Sequence, residues 1–390
     1  MSLPHTNWHY PTRMWFGDDR LQELPTACRS LGLTRPLLVT DRGLAELDFV
    51  NRARELLADA GLGEAFHGDV DGNPAGRHVD SGVTAFLAGD CDGVIGLGGG
   101  SALDAAKSIA LVARQSRPLW DFEDVGDNWR RAEADAIAPV IAIPTTAGTG
   151  SEVGRAAVIL DEATRTKKII FHPAMMPALV ISDPTLTVGL PPNITAWTGV
   201  DAFVHALEAW CAPGFHPMAE GIALEAMRMV RRWLPQAVAD GSNLQARGQM
   251  LVAASMGATA FQKGLGSIHS VSHVLGARYG LHHGLANAVI LPYGLARNAR
   301  YLEPRMPALC QALGIDGTDT ADLVEELLAF RASLEIPENL AALDVPDEDA
   351  AGIGAAALAD PSTTTNAGPM TAEDFEALFR DARHGELHFT

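Results

Sequence analysis

One aspartate and three histidines in the second half of the chain have the residue types and spacings of a metal site. Asp201 and His205 are four residues apart in GVDAFVHALEAW, so they share one helix face. His269 and His273 have the same spacing, and His283 follows at the predicted start of the next helix. Helical bundles build metal sites from such pairs on neighbouring helices. Asp201, His205, His269 and His283 therefore predict a site for Fe(II) or Zn(II), and donor chemistry leaves both metals open.

The neighbouring His282 is expected to lie outside this donor set. Only one of two adjacent histidines usually points inward, and His283 directly precedes Gly284 at the helix start. Two roles are considered for His282: it lines a substrate pocket, or it simply takes the place of a turn residue.

A glycine-rich loop in the first half of the chain predicts a phosphate site. The apolar run GVIGLG leads into Gly98, Gly99, Gly100 and Ser101, and the pattern LDAAKSIALVA that follows is typical of a helix. Backbone N–H groups at a helix N-terminus can hold a pyrophosphate. The motif is not the GxGxxG fingerprint, because Ser101 replaces the third glycine, and a purely structural turn is the alternative.

Two further segments favour a nicotinamide dinucleotide. Asp41 follows the strand-like run PLLVT, where a carboxylate can bind the ribose hydroxyls and repel a 2′-phosphate, which favours NAD over NADP. Its alternative role is that of a turn or helix-capping residue. The loop PTTAGTGSE at 144–152 is rich in small residues and hydroxyls, so it can approach a ribose or nicotinamide closely.

The elements that must position these residues change in character near residue 188. Up to that point, short apolar runs alternate with helical patterns, which predicts parallel strands with crossover helices. Beyond the LPPN turn at 190–193, i, i+3, i+4 spacing dominates and predicts helices. We therefore expect an α/β dinucleotide-binding domain over 1–188 and an all-helical metal- and substrate-binding domain over 189–390.

Charge and composition exclude other classes of protein. The 390 residues include 48 acidic and 29 basic side chains, and the formal charge of −19 disfavours binding to nucleic acid or to an anionic membrane. No apolar run is long enough to span a membrane, and no secretion signal is recognisable in MSLPHTNWHY, so a cytoplasmic protein is expected. The four cysteines form no CxxC pair and are expected to be buried thiols.

In five ordered blocks the sequence resembles the iron-containing (group III) alcohol dehydrogenase family. The resemblance covers nearly the whole chain. The blocks are VTDRGL at 39–44, GLGGGSALDAAK at 96–107, PTTAGTGSEV at 144–153, DPTLTVGLPPNITAWTGVDAFVHALEA at 183–209 and GLGSIHSVSHVLGARYGLHHGLANAVILPY at 264–293.

This resemblance implies the dehydroquinate synthase-like fold, an N-terminal α/β domain with a parallel sheet and an all-α C-terminal domain, with the metal in a cleft between them. It implies an NAD-linked oxidation of a small primary alcohol, or reduction of an aldehyde, with a divalent metal as Lewis acid on the substrate oxygen. His273 matches a histidine that helps to move the substrate proton. The positions that match NAD-lining residues are Asp41, Gly98, Gly99, Ser101, Thr145, Thr146, Thr149 and Lys167, with Lys168 the alternative to Lys167.

Two departures from the family pattern bear on the substrate. An Asn-Pro-Arg segment that many relatives carry near the C-terminus is replaced by Asn366-Ala367-Gly368-Pro369. Lys263 lies shortly before His269, and we hypothesise that it meets a carboxylate, which would favour a short ω-hydroxy acid or its semialdehyde over ethanol. A surface lysine without such a role is the alternative.

Other functions in the same fold remain as alternatives. These are glycerol-dehydrogenase-like and maleylacetate-reductase-like oxidoreductases, a dehydroquinate-synthase-like lyase and a non-enzymatic regulator. The lyase would need more basic residues around the metal than these blocks contain. A homodimer is also expected, because relatives often pair an N-terminal edge strand and the segment WHYPTRMWFGDD at 8–19 is apolar enough to serve.

Overall fold

A computed structural model describes residues 6–8 and 11–390 of the chain. The chain divides into two compact units, the first ending at Gly189 and the second comprising Leu190–Thr390. Within the described residues, no helix is both long and apolar enough to cross a bilayer.

The first unit is built from strands and crossover helices. Its strands are β1 (Thr6–Trp8), β2 (Arg13–Phe16), β3 (Pro36–Asp41), β4 (Phe66–Val70), β5 (Gly93–Gly98), β6 (Val140–Pro144), β7 (Ala156–Asp161), β8 (Thr166–Phe171) and β9 (Leu179–Ser182). Its α-helices are α1 (Leu24–Ser30), α2 (Asp48–Asp59), α3 (Gly76–Ala88) and α4 (Gly100–Val112).

Seven of the nine described strands form one large sheet in the order β1-β2-β9-β6-β5-β3-β4, in which every pairing except β1 with β2 is parallel. The central strands are apolar throughout because both faces of the sheet are covered. In β3, Leu37 and Val39 join the core that contains α3 and α4, whereas Leu38 joins the core that contains α1 and α2. The α/β fold class predicted from the sequence is confirmed.

A separate antiparallel hairpin, β7 with β8, was not predicted from the sequence. In β7, buried and partly buried residues alternate, as expected for a strand with one face on a core. Ala157 and Ile159 supply that face and pack into the core that contains α4.

The predicted edge-strand segment 8–19 includes residues 9 and 10, which lie outside the described residues. Within the described part, β1 lies at one edge of the sheet and pairs with β2 in the register Thr6 to Phe16. The homodimer stays a prediction.

The second unit is helical, and its described residues contain no β-strand. Its α-helices are α5 (Pro192–Cys211), α6 (Pro217–Ala239), α7 (Leu244–Ala260), α8 (Ser267–Tyr279), α9 (His283–Arg297), α10 (Ala299–Leu302), α11 (Met306–Leu313), α12 (Thr320–Ser333), α13 (Ala350–Leu358) and α14 (Ala372–His384).

Helix α5 is the central element of this unit. Nearly every residue from Thr195 to Trp210 is buried, and α5 packs against α6, α7 and α9. A helix that is apolar on all sides must be enclosed by other helices, so the few charged residues on α5 require partners within the protein. Three of the four cysteines are buried, as expected. Cys211, the last residue of α5, is partly exposed as a residue, although burial raises the pKa of its thiol to about 12.

Candidate functional site

The predicted donor residues of the second unit come together in one buried group. One ligand atom from each of Asp201, His205, His269 and His283 lies within 4.8 Å of those of the others. Helix α5 contributes Asp201 and His205, α8 contributes His269, and His283 is the first residue of α9. The side chain of His283 is 23% exposed and the other three donors are almost fully buried. The four residues selected by their spacing in the sequence are therefore neighbours in space.

Local sequence brings His283 against α5. His282 is the N-cap of α9, where its Nδ1 accepts a hydrogen bond of 3.4 Å from the backbone N–H of Leu285. Gly284 permits close packing, because a Cβ at that position would lie 2.5 Å from the carbonyl oxygen of Trp197 on α5. The capping role supports the interpretation of His282 as a turn residue, and its role towards a substrate stays untested.

Glu208 is a buried contact of this group that sequence reasoning missed. Its Oε2 lies 2.6 Å from Nδ1 of His269, and its Oε1 accepts a hydrogen bond of 2.8 Å from the backbone N–H of Ile268. Burial raises the pKa of Glu208 to about 7, although the backbone hydrogen bonds that it accepts lower it. Burial also lowers the pKa of His269 well below its ordinary value, which favours the neutral imidazole that binds metals.

Asn287 is the second missed residue, and it touches three of the four donors. Its Nδ2 lies 2.7 Å from Asp201 Oδ1 and 3.2 Å from Nε2 of both His269 and His283. Among the described residues, neither Oδ1 of Asn287 nor Nδ1 of His205 has a hydrogen-bond partner, although both are buried.

These observations test whether a divalent cation fits the group. One carboxylate and three imidazoles form a donor set that suits Zn(II) or Fe(II). The ligand atoms of these four side chains lie within 4.8 Å of one another in a largely buried group, where a cation would accept their lone pairs. The residues present therefore fit such an ion.

His273 lies beside the donor group and has an acidic partner that sequence reasoning missed. Its ring stacks on His283 with centroids 5.3 Å apart, and its Nδ1 lies 2.9 Å from Oδ2 of Asp360. Burial alone would raise the pKa of Asp360, but the neighbouring His273 and the hydrogen bonds from His273 and Ser362 lower it. Asp360 is thus held as a carboxylate that orients the ring of His273.

Some of the missed residues carried a sequence signal and one did not. Glu208 follows His205 by three positions on an otherwise apolar helix, and Asn287 follows His283 by four, so helical spacing could have found both. Asp360 is 87 residues from His273, and no local pattern connects them.

In the first unit, the glycine loop lies at the carboxyl end of β5 and leads into α4. Neighbouring side chains crowd these glycines. A Cβ at Gly98 would lie 3.2 Å from Asp41 Oδ2, and one at Gly100 would lie 2.5 Å from Thr149 Cγ2. A Cβ at Gly99 would lie 3.4 Å from Thr146. The structure therefore places the predicted loop, Asp41 and the threonine-rich segment next to one another.

Other contacts fix the ends of these segments. The backbone N–H of Thr145 donates to the carbonyl of Gly98 over 3.0 Å, and Ser101 Oγ donates to the carbonyl of Gly72 over 2.7 Å. Asp41 Oδ1 accepts a hydrogen bond of 3.1 Å from the N–H of Leu44, so Asp41 also has the turn role considered from the sequence.

One of the two lysines of β8, Lys168, has acidic partners within the protein. Lys168 Nζ lies 3.0 Å from Asp161 and 3.5 Å from Glu123, so its charge is matched within the protein. Adjacent residues of a strand point to opposite faces, so Lys167 faces away from this ion pair. Lys167 remains the predicted cofactor contact.

Lys263 does not have the environment that the substrate hypothesis requires. It lies on a short 3₁₀ turn that ends before α8, and its side chain is 2% exposed. Its Nζ lies 2.7 Å from Glu220 Oε1 and 3.3 Å from the carbonyl of Trp210. The positive charge of Lys263 is therefore neutralised by Glu220 of the protein, and not by a substrate carboxylate as the sequence suggested.

Comparisons with known proteins agree with this architecture. Residues 11–184 match the sequence profile of the iron-containing alcohol dehydrogenases, and residues 195–383 match the C-terminal profile of the Fe-containing alcohol dehydrogenase family. The chain is 36% identical to the 4-hydroxybutyrate dehydrogenase of Cupriavidus necator, over 96% of this chain and 99% of that one. It is 33% identical to the NAD-dependent methanol dehydrogenase of Bacillus methanolicus, over 97% and 100% of the two chains.

Among solved structures, a 1,3-propanediol oxidoreductase superposes with a TM-score of 0.90 at 31% identity, covering 98% of this chain and 100% of that one. The parallel α/β unit and the helical unit with its buried Asp and His side chains define a class of two-unit oxidoreductases that act on CH–OH groups. The chain belongs to the iron-containing alcohol dehydrogenase family. The family membership predicted from the sequence is confirmed.

Proposed function

We propose that this protein catalyses reversible, metal-dependent hydride transfer between NAD(H) and a small primary alcohol or aldehyde. The observation that carries the proposal is the buried group of Asp201, His205, His269 and His283, with His273 stacked on its edge. We infer further that residues 1–188 form the dinucleotide-binding domain and residues 189–390 the metal- and substrate-binding domain.

Asp201, His205, His269 and His283 are the proposed ligands of the metal. When bound, a divalent ion supplies Lewis acidity towards the alcohol or carbonyl oxygen. The family name favours Fe(II), and the mixed carboxylate and imidazole donors also suit Zn(II).

The proposed NAD contacts lie around the glycine loop. The N-terminus of α4 offers N–H groups and a positive dipole end to the pyrophosphate, while the Asp41 carboxylate selects ribose hydroxyls over a 2′-phosphate. The relative from Bacillus methanolicus is named as NAD-dependent, which supports this choice. The full proposed set is Asp41, Gly98, Gly99, Ser101, Thr145, Thr146, Thr149 and Lys167.

His273 is the proposed catalytic residue that moves the substrate proton. Oxidation removes a hydride from the alcohol carbon and a proton from its hydroxyl group, leaving the aldehyde and NADH. Because Asp360 binds Nδ1 of His273, the Nε2 atom remains to exchange that proton.

We propose four-carbon ω-hydroxy acids and short diols as the first substrates to test. The relatives named 4-hydroxybutyrate dehydrogenase and 1,3-propanediol dehydrogenase support this choice. Since Lys263 is paired with Glu220, another group of the protein has to meet any substrate carboxylate. The cytoplasmic location and the homodimer stay predictions from the sequence.

The test follows NADH absorbance in anaerobic protein that is loaded with Fe(II), loaded with Zn(II) or stripped with a chelator. Each form is given succinic semialdehyde, 3-hydroxypropanal and neutral aldehydes of similar length. We expect NADH oxidation that depends on the metal. Turnover without metal would contradict the proposal and favour a maleylacetate-reductase-like enzyme, while no turnover with either metal would contradict the dehydrogenase itself.

A further inference from the structure

Glu208 connects the donor helix α5 with the donor helix α8. Asp201, His205 and Glu208 occupy positions 0, 4 and 7 along α5, so they lie on one face of this helix. The carboxylate of Glu208 contacts Nδ1 of His269 at 2.6 Å, and both side chains are buried. Glu208 is not itself part of the four-donor group.

We propose that Glu208 is a positioning residue that fixes the tautomer and orientation of His269 and thereby sets the affinity of the protein for its metal. This inference rests on the proposed function, because it assigns a role towards the proposed metal site. It adds to that function a residue that is hydrogen-bonded to the ring of one proposed ligand, His269.

The two ring nitrogens of His269 face different partners. Nδ1 faces the carboxylate of Glu208, and both oxygens of this carboxylate also accept backbone N–H groups, so Nδ1 is the donor in this contact. Nε2 faces Nδ2 of Asn287 at 3.2 Å, and this amide also contacts Asp201 and His283. The lone pair of Nε2 is therefore directed to the side on which the other donors lie. A carboxylate behind a histidine ligand also increases the basicity of that ligand.

Glu208 also fixes the start of α8. Its carboxylate accepts hydrogen bonds from the N–H groups of Ile268 at 2.8 Å and His269 at 3.4 Å, in the first turn of the helix. An anion is favourable at this end of the helix dipole. A glycine before the helix leaves room for this approach, because a Cβ on Gly266 would lie 3.0 Å from Glu208 Oε1 and 2.7 Å from Asn366 Oδ1. The same side chain thus determines where His269 lies and how its ring is turned.

A purely structural role for Glu208 is the competing explanation, and Asp381 provides a matched control. Asp381 is also a buried carboxylate of the second unit, and it accepts from Nδ1 of His388 at 2.8 Å and from Nε of Arg297 at 2.6 Å. Neither His388 nor Arg297 belongs to the donor group. Loss of Asp381 therefore removes comparable bonds without touching a proposed ligand.

The experiment compares the full-length wild-type protein with Glu208→Gln, Glu208→Leu and Asp381→Asn. The Kd for Zn(II) is measured on metal-free protein by competition with a chromophoric chelator, and the visible spectrum of the Co(II) form reports on the ligands. Thermal unfolding shows whether each variant is folded. We expect a Zn(II) Kd raised about 10- to 100-fold in Glu208→Gln, raised further in Glu208→Leu, and changed less than about twofold in Asp381→Asn. The Co(II) spectrum is expected to change only in the Glu208 variants.

The outcomes separate this inference from the proposed function. If wild type binds Zn(II) and Glu208→Gln binds it equally well with the same Co(II) spectrum, Glu208 is structural and the inference is wrong. If Asp381→Asn weakens binding as much as Glu208→Gln, the effect is one of general stability and the inference is also wrong. If Glu208→Leu does not fold, the nearly isosteric Glu208→Gln decides. Failure of the wild type to bind any of these metals contradicts the proposed function together with the inference.

Discussion

The imidazole of His273 donates through Nδ1 to the carboxylate of Asp360 over 2.9 Å, although the two residues are 87 positions apart. Asp360 in turn accepts the backbone N–H of Ser362 over 2.9 Å, which holds its carboxylate in place. This pair gives the proposed proton-transfer residue a fixed orientation beside the donor group.

Replacement of Asp360 by Asn is expected to lower kcat for alcohol oxidation by at least about tenfold. General acid–base catalysis typically contributes about 10²–10⁴-fold to the rate, and this variant should lose a part of that contribution. The reason is that the neutral amide no longer holds His273 in one tautomer. Steady-state kinetics at saturating NAD measure the effect, with Asp381→Asn as the control. An unchanged kcat, or a loss of metal that parallels the loss of kcat, would contradict the assignment.

Metal binding is expected to stabilise the protein against heat. A ligand that binds only the folded state at 100 times its Kd adds about 2.7 kcal/mol to the free energy of unfolding. Zn(II) or Fe(II) should therefore raise the Tm of metal-free wild type. His283→Ala should lose most of that rise at little cost to packing, because the side chain is 23% exposed. His384→Ala, a change at an exposed histidine, serves as the control. If neither metal changes the Tm of the wild-type protein, the proposed metal site is wrong.

Asp41 is expected to determine the choice between NAD and NADP. Its carboxylate lies at the end of β3 beside Gly98, and the next residue, Arg42, pairs with Asp69 and with Asp71 at 2.9 Å. Asp41→Ala removes the repulsion of a 2′-phosphate, so the ratio of kcat/KM for NADPH over NADH should rise about tenfold or more. Initial rates with both cofactors test this, and Asp69→Asn controls for charge near the loop. A ratio that stays at the wild-type value would place the adenosine ribose elsewhere.

Lys263 is expected to affect stability rather than substrate choice. Lys263→Met should lower the free energy of unfolding by about 1–3 kcal/mol, because it removes the nearer of the two basic partners that the partly buried Glu220 has among the described residues and leaves Arg305, at 3.3 Å. Adding Glu220→Gln should recover part of this loss. The relative kcat/KM for 4-hydroxybutyrate and 1-butanol should not change. A selective loss of activity on the acid would restore the substrate role that the sequence suggested.

Cys28 is expected to resist alkylation while the protein is folded. Burial, together with the nearby Asp92, raises the pKa of its thiol to about 12. At pH 8 the reactive thiolate is then about one molecule in ten thousand, and its fraction rises about tenfold per pH unit. Peptide mapping after iodoacetamide treatment measures the modification, with urea-unfolded protein as the control. Rapid labelling of the folded protein at pH 8 would contradict the buried placement.

Local periodicity was enough to predict the donor group and the glycine loop. Asp201 with His205 follows helical spacing, and the loop before α4 follows a change from strand to helix within a few residues. The hairpin β7–β8 was missed because only one of its faces is apolar and its second strand is rich in polar residues. Lys168 of that strand is paired with Asp161 of the same hairpin and with Glu123 of another segment.

The sequence by itself determined the two-part organisation, the family and the residues proposed to bind the metal, since each depends on residue types at short, regular spacing. Only the tertiary structure decided three side-chain contacts. Glu208 contacts the ring of His269, Asp360 contacts the ring of His273, and Lys263 forms an ion pair with Glu220. These contacts join residues 43 to 87 positions apart. Helical and strand periods relate only near neighbours, so such pairs become visible only when packing has placed the helices side by side.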